Sequence, residues 1–267
     1  MLDMNNACQK SLEVTLPENL HSVINVPRSY GLCGISGKDG HRTAVCVDFF
    51  TGEVKTRAID VMALFLTPSN AAVAVVCHDG ICALQTLPIE IGADYMTKSD
   101  ALGPVQPTFA LPDGLKPEYF GNYPGVSIGT EESTSYLLSA NKGDGNWTAV
   151  MLDKEGFHIM EDIAAESLIP FMAGSDAGYI ATYGGVSLFR LVNPENGTIG
   201  QAIYTCKIGQ IISATSNPEK PDHILLNVSE TSNGLQIYDL AWNDTKSLSH
   251  ITLPNSANDY AEVLMAN

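Results

Sequence analysis

The sequence predicts an all-β protein made of repeated antiparallel sheets, and three observations carry that prediction. Short apolar, β-branched runs recur along the chain, Asp-Gly, Asn-Gly and Thr-Gly pairs punctuate them, and a helical 3.6-residue period is nearly absent. The punctuation matters because a tight hairpin needs backbone at positive φ, which Gly adopts freely and Asp or Asn more readily than other residues. Asp39-Gly40, Asp79-Gly80, Asp113-Gly114, Asp144-Gly145 and Asn233-Gly234 supply such turns. With 45% hydrophobic residues in 267, the chain has enough apolar surface for a substantial core.

Taken in order, the strand-length runs include Thr43 to Phe50, Ala71 to Val76, Ser135 to Ala140, Ser187 to Leu191 and His223 to Val228. Aligned on their turns they form a loose repeat. The first copy opens at Tyr30, and the second runs from Leu64 to Pro88 as strand, Pro-bearing turn, strand, Gly turn and strand. Further copies open at Tyr136 and Tyr179, and the last spans Ile211 to Pro254. The closing strands end near Ile59, Leu87, Ile163, Tyr204 and Leu253, and the wide interval between Leu87 and Ile163 has room for one long copy or two. At the amino end, SLEVTLP at residues 11–17 echoes SLSHITLP at 247–254, as an outer strand lacking its own copy would.

This pattern resembles the β-propeller, in which four-stranded antiparallel blades of roughly 40 residues repeat around a central channel. The likeness implies about five to seven blades over residues 1–267 as one domain. Leu235-Gln-Ile-Tyr-Asp-Leu240 is similar to the third strand of a WD-repeat blade, with Tyr238 where that family has Trp and no Gly-His dipeptide before it. Spacing and strand order are also similar to the amino-terminal propeller of the clathrin heavy chain and to lactonase-type propellers. In such a ring the amino-terminal strand would pair with the run Tyr260 to Met265 and close the last blade, which the sequence leaves otherwise incomplete.

Composition narrows the partners. Lys plus Arg number 14 and Asp plus Glu 30, a formal net charge of -16. That surface repels phosphate backbones and anionic headgroups, so nucleic acid and membrane are not expected partners. Met1 to Glu18 hold no apolar secretory core and no stretch approaches a membrane span, which reads as a soluble, cytoplasmic chain. The six cysteines are too sparse for a disulfide scaffold and mostly occupy apolar runs, so reduced, packed thiols are expected. Cys77 and Cys82, flanking Asp79-Gly80, leave open a cross-hairpin disulfide or half of a metal site. No second Cys or His pair in local spacing completes a zinc set, and neither metal nor cofactor is expected. The four N-x-S/T sequons, at Asn146, Asn196, Asn227 and Asn243, would matter only in a secreted chain.

Catalytic patterns are thin. Gly125-Val126-Ser127-Ile128-Gly129 matches the G-x-S-x-G nucleophile elbow, which needs a buried strand before the Ser and a helix after it. Pro124 and the β-rich continuation TEESTSYLL deny both, so a chance match is expected. The six histidines are scattered, and His41 and His78 flank turns. A channel mouth would gather distant groups, which makes Glu131, Glu132, Asp144, Asp153, Asp176, Asp222 and His223 candidates for a polar cluster, against the alternative of a solvated acidic face. No phosphate-binding loop is present in Gly37 to His41.

Aromatic residues on turns and loops are the remaining signal. Pro104 to Pro124 is an irregular, Pro-rich stretch carrying Tyr119, Phe120 and Tyr123, suited either to packing on a rim or to touching a ligand. Trp147 and Trp242 follow Gly-rich or Asn-rich turns and are either recognition points or packing for a blade edge. The expected function is a scaffold that binds a peptide or protein through these five aromatics. The alternative is a small-molecule enzyme of lactonase, hydrolase or isomerase type, with its site in the channel.

Overall fold

The computed structural model describes residues 2–3, 9–10, 14–17, 19–26, 31–37, 41–48, 52–87, 108–130, 133–217, 220–230, 234–243 and 245–251. A short ladder pairs β1 (Leu2–Asp3) with β2 (Gln9–Lys10). Five four-stranded antiparallel sheets follow, and in each the strands pair in the order in which the chain supplies them. These are the blades of a five-bladed β-propeller, at the lower bound of the expected range. The described residues contain one helical turn, the 3-10 turn Pro117–Tyr119.

The blades fall into two compact units. The first unit comprises residues Met1–Leu111 and Lys116–Pro124, the second Pro112–Leu115 and Gly125–Asn267. In the first, β3 (His21–Val26), β4 (Gly31–Ser36), β5 (Thr43–Asp48) and β6 (Val54–Ile59) form one blade. β7 (Val61–Leu66), β8 (Ala72–His78), β9 (Ile81–Thr86) and β10 (Phe109–Ala110) form the next. In the second unit, β11 (Val126–Thr130) to β14 (Gly156–Ala164) enclose β12 (Ser133–Gly143) and β13 (Asn146–Asp153). The fourth blade is β15 (Ser167–Ala173), β16 (Asp176–Tyr183), β17 (Val186–Asn193) and β18 (Thr198–Cys206). The fifth is β19 (Gln210–Asn217), β20 (Lys220–Glu230), β21 (Gly234–Ala241) and β22 (Ser247–Ile251).

The turns follow their chemistry. Asp79 and Gly80 sit at φ 49 and 77, and Asp144 and Gly145 at φ 50 and 74, the paired left-handed geometry that matches strand twist in a two-residue hairpin. Ile59 ends a fourth strand, and Ile163 and Tyr204 lie within fourth strands, as the repeat predicts. Leu87 differs: it follows a third strand, and the fourth is the two-residue β10. The interval before Ile163 therefore holds one blade and the end of another. Leu235 to Leu240 lies on the third strand of its blade, as the WD-like phrase implies. Residues 14–17 carry no strand, whereas residues 11–13 and the expected partner run 260–265 lie outside the described residues. The fifth blade has four strands, all from a contiguous stretch.

Cysteine chemistry corrects the expectation of reduced thiols. Cys33 and Cys46 stand directly opposite on β4 and β5 and form a disulfide with Cα atoms 4.1 Å apart. Cys77 and Cys82 do the same on β8 and β9 at 4.0 Å. Opposite residues of an antiparallel pair project to the same face at close range, which places two sulfur atoms within bonding reach. For Cys77 and Cys82 this is the cross-hairpin bond that their spacing about Asp79-Gly80 left open; for Cys33 and Cys46 the adjacency is a property of register, which spacing along the chain does not display. Cys206 is a buried free thiol, and burial pushes its pKa up to about 11, so it stays protonated and unreactive.

A cluster of twelve buried residues on the first two blades has Cys33, Ala44, Cys46, Ala58, Ala72 and Ala74 as half of its members. The first unit also buries Phe65 and Phe120 completely, and the second buries Tyr179, Phe171 and Phe189. The Tyr179 hydroxyl, on β16, shares its proton between the backbone oxygens of Leu138 at 2.9 Å and Val150 at 3.0 Å. One side chain of the fourth blade is thereby tied to two strands of the third. Burial raises the Tyr179 pKa.

Candidate functional site: a clamped aromatic loop

In the first unit, β10 is followed by a hydrogen bond from Leu111 N–H to the Gly80 oxygen at 3.0 Å, which ties the chain to the Asp79-Gly80 hairpin. Lys116 is extended, at φ -134 and ψ 149, as the residue before a proline prefers. Pro117 then starts the 3-10 turn, where its missing N–H costs nothing. The Tyr119 and Phe120 amides return to the Lys116 and Pro117 oxygens at 3.0 and 3.2 Å.

What fixes this turn to its blade is Arg42. Its guanidinium donates from Nη1 to the Phe120 oxygen at 2.5 Å and from Nη2 to the Glu118 oxygen at 2.7 Å, with Pro117 O more distant at 3.4 Å. A planar fork that donates along two directions suits two carbonyls held by one turn. Phe120 beneath it is 1% exposed. Gly121 adopts φ +84, and a Cβ there would lie 3.0 Å from both Met62 O and Arg42 Nη1 and 3.2 Å from Ile35 Cδ1. The close approach of loop to floor therefore requires glycine.

This clamp divides the predicted aromatics. Phe120 is an anchor, whereas Tyr119 and Tyr123 are half-buried and keep part of their rings at the surface. Lys116 Nζ lies 5.9 Å from the Tyr119 ring centroid and 4.0 Å from Glu118. Arg42 is the functional residue that sequence reasoning missed. It follows the Asp39-Gly40 pair, but its partners lie 75 to 78 residues away.

Neither tryptophan is an exposed recognition point. Trp147, on β13, is 4% exposed and stands between Asn141 and Ile163. Trp242, 5% exposed, directly follows β21 and joins an aromatic group from the fourth blade, 5.1 Å from Phe171, 5.6 Å from Phe189 and 6.5 Å from Tyr204. Its indole N–H donates to Asp176, and Lys246 Nζ caps the ring at 4.1 Å. Both side chains are interior packing, because a ring this large stabilises more when buried against other rings.

Among the described residues the candidate polar groups form no single cluster; Asp176 reaches Trp242, and most of the others are used locally. Asp153 Oδ1 accepts from the Glu155 and Gly156 amides at 2.7 and 3.2 Å and lies 3.0 Å from His158 Nε2. Burial works to raise its pKa, but these hydrogen bonds and His158 outweigh it and leave the carboxyl below its usual range. His223 Nδ1 is 2.7 Å from Asp239, Asp222 contributes its backbone oxygen to Trp242 N, and His78 lies exposed beside Asp60 and Asp79. Ser127 sits inside β11 opposite Tyr136, with no strand-turn-helix around it. Glu131 and Glu132 lie outside the described residues. Among the described residues no three His, Cys, Asp or Glu side chains come together as a metal-holding group. No helix among them is long and apolar enough to cross a membrane.

Comparison with known proteins agrees with the fold. Residues 6–219 match the DUF4784 WD40-like domain family. The crystal structure of a DUF4784 family protein from Bacteroides caccae ATCC 43185 superposes with a TM-score of 0.72 at 27% identity, over 88% of this chain and 62% of that one. The chain thus spans less than two thirds of the length of that relative. The SapL1 lectin in complex with alpha methyl fucoside is similar at a TM-score of 0.53 and 14% identity, over 88% of this chain and 80% of that one. TolB from Acinetobacter baumannii is similar at 0.50 and 8%, over 86% and 54%. Likeness at such low identity shows the fold alone. No curated protein matches.

Proposed function

We propose, for a chain that belongs to the DUF4784 WD40-like domain family, a binding role in which the clamped loop presents Tyr119 and Tyr123 to a peptide or to a segment of a protein. The observation that carries this reading is the Arg42 fork, which holds the carbonyls of Glu118 and Phe120 and so keeps the loop in one conformation. A tyrosine offers a large amphipathic contact with few rotors to freeze, and a backbone already ordered pays no further entropy on binding. Net charge of -16 favours a partner segment rich in Lys or Arg, through steering and through cation contacts with the tyrosine rings.

Panning a random-peptide phage library on the full chain tests this, with the Tyr119→Ala/Tyr123→Ala variant as the comparison. The expected result is a set of basic peptides that bind the parent at least about tenfold better than the variant, the loss of one to two aromatic contacts. Selected peptides that bind both proteins equally would overturn the reading.

A further inference from the structure

We propose that the two cross-strand disulfides are what hold the floor of the aromatic loop, so that the first unit presents Tyr119 and Tyr123 only in its oxidised form. The consequence for binding rests on the reading of those tyrosines as contacts; the hold itself does not.

The loop rests on three supports, Ile35 on β4, Arg42 just before β5, and Met62 on β7. Cys33–Cys46 joins β4 to β5, two residues from Ile35 on one strand and four from Arg42 on the other. Cys77–Cys82 joins β8 to β9, in the blade that begins with β7. It also lies where the loop is fed in: Cys82 is opposite Phe109, and the Gly80 oxygen receives Leu111 N–H. The fourth strand here has two residues, so few ladder bonds supplement the covalent link. Cys33 and Cys46 belong to a buried cluster in which Ala44, Ala58, Ala72 and Ala74 stand beside Ile24, Val26, Ile35, Val61, Leu64 and Leu87. The alanines bury less apolar area than the aliphatics beside them, and the cross-link between β4 and β5 adds to what that packing supplies.

The chemistry is thiol–disulfide exchange. On oxidation each thiol pair gives up two protons and two electrons to a disulfide oxidant, of protein or small-molecule type, which leaves as its two thiols. A dithiol reverses this, opening the S–S bond while becoming a cyclic disulfide itself. The second unit has no described disulfide, and its interior is aromatic, so reduction leaves it folded. A protein that needs both bonds works in an oxidising compartment, in place of the cytoplasmic setting expected from the sequence.

The test is hydrogen exchange on the full chain, segment by segment, before and after dithiothreitol, with non-reducing peptide mapping of the starting material. Mapping should link Cys33 to Cys46 and Cys77 to Cys82. Reduction should speed exchange about tenfold or more in residues 31–48 and 116–123, leave residues 167–206 unchanged, and be reversed by glutathione disulfide. The Cys33→Ser/Cys46→Ser and Cys77→Ser/Cys82→Ser variants, each kept oxidised at the other pair, should speed exchange at 116–123 without added reductant. Unlinked cysteines, unchanged exchange at 116–123, or an equal rise in 167–206 would each overturn the proposal. If exchange rises while the reduced protein still binds the selected peptides, the hold stands and the tyrosine contacts fall. If exchange does not rise, the hold falls whatever binds.

Discussion

Trp242 donates its indole N–H to Oδ2 of Asp176 at 3.0 Å, across 66 residues of chain, and so joins the end of β21 to the start of β16. The ring also packs against both Phe171 and Phe189, so its hydrogen bond and its packing act on one seam between the fourth and fifth blades. Replacing Trp242 with Ala should cost about 3 to 5 kcal/mol, the range for emptying a buried aromatic site. Asp176→Asn, which keeps an acceptor oxygen, should cost roughly 1 kcal/mol. Urea denaturation followed by near-ultraviolet circular dichroism separates the two. Equal losses would mean that the carboxylate, and not the ring, holds the seam.

Arg42→Lys should loosen the aromatic loop while leaving the blades intact. A lysine carries its three donors on one nitrogen and cannot serve two diverging carbonyls as the guanidinium does. Chymotrypsin cleavage after Tyr119 or Phe120 should accelerate about tenfold, because proteolysis follows local opening. Unchanged cleavage would show that Phe120 and Gly121 suffice to hold the loop.

Asp162 should give the second unit an acid-sensitive contribution. The Thr148 hydroxyl at 2.5 Å and then the Lys142 ammonium at 2.9 Å hold its carboxyl below the usual range, with burial opposing slightly. A pKa lowered by folding means that the unfolded chain takes up the proton first. The contribution is therefore full above the unfolded value, near 3.9 for Asp, and is lost as pH falls through the folded one. Asp162→Asn should lower Tm modestly at pH 7, since the site is exposed and the pair screened to under about 1 kcal/mol. The difference from the parent should shrink below about pH 4 and vanish once the parent carboxyl is protonated. A difference that grows on acidification contradicts the assignment.

Much of the architecture is written in local chemistry. Asp79-Gly80 and Asp144-Gly145 announce their hairpins because positive φ is a property of two adjacent residues, and strands between such turns can be counted from the chain. Features that depend on register or on distant segments are not written there. The Cys33–Cys46 bond requires knowing that β4 and β5 meet at those two residues. The Arg42 clamp requires a loop some 76 residues on, and the burial of Trp147 and Trp242 requires neighbours from other strands or blades. Of the predicted loop aromatics, Tyr119 and Phe120 are adjacent in sequence yet differ in burial, a distinction made by the 3-10 turn rather than by either side chain. The two-residue β10 is too short to leave any periodic signal at all.

Every four-stranded sheet here is assembled from strands that are neighbours in sequence. Apart from the 22-residue interval between β9 and β10, loop closure within each is short, so a blade can acquire its ladder as it leaves the ribosome, without waiting for later blades. Duplication or deletion of one roughly 40-residue segment would likewise add or remove a blade without rewiring any strand pairing in its neighbours. Families built in this manner can vary in length by whole modules, and a change in module number is a single genetic step.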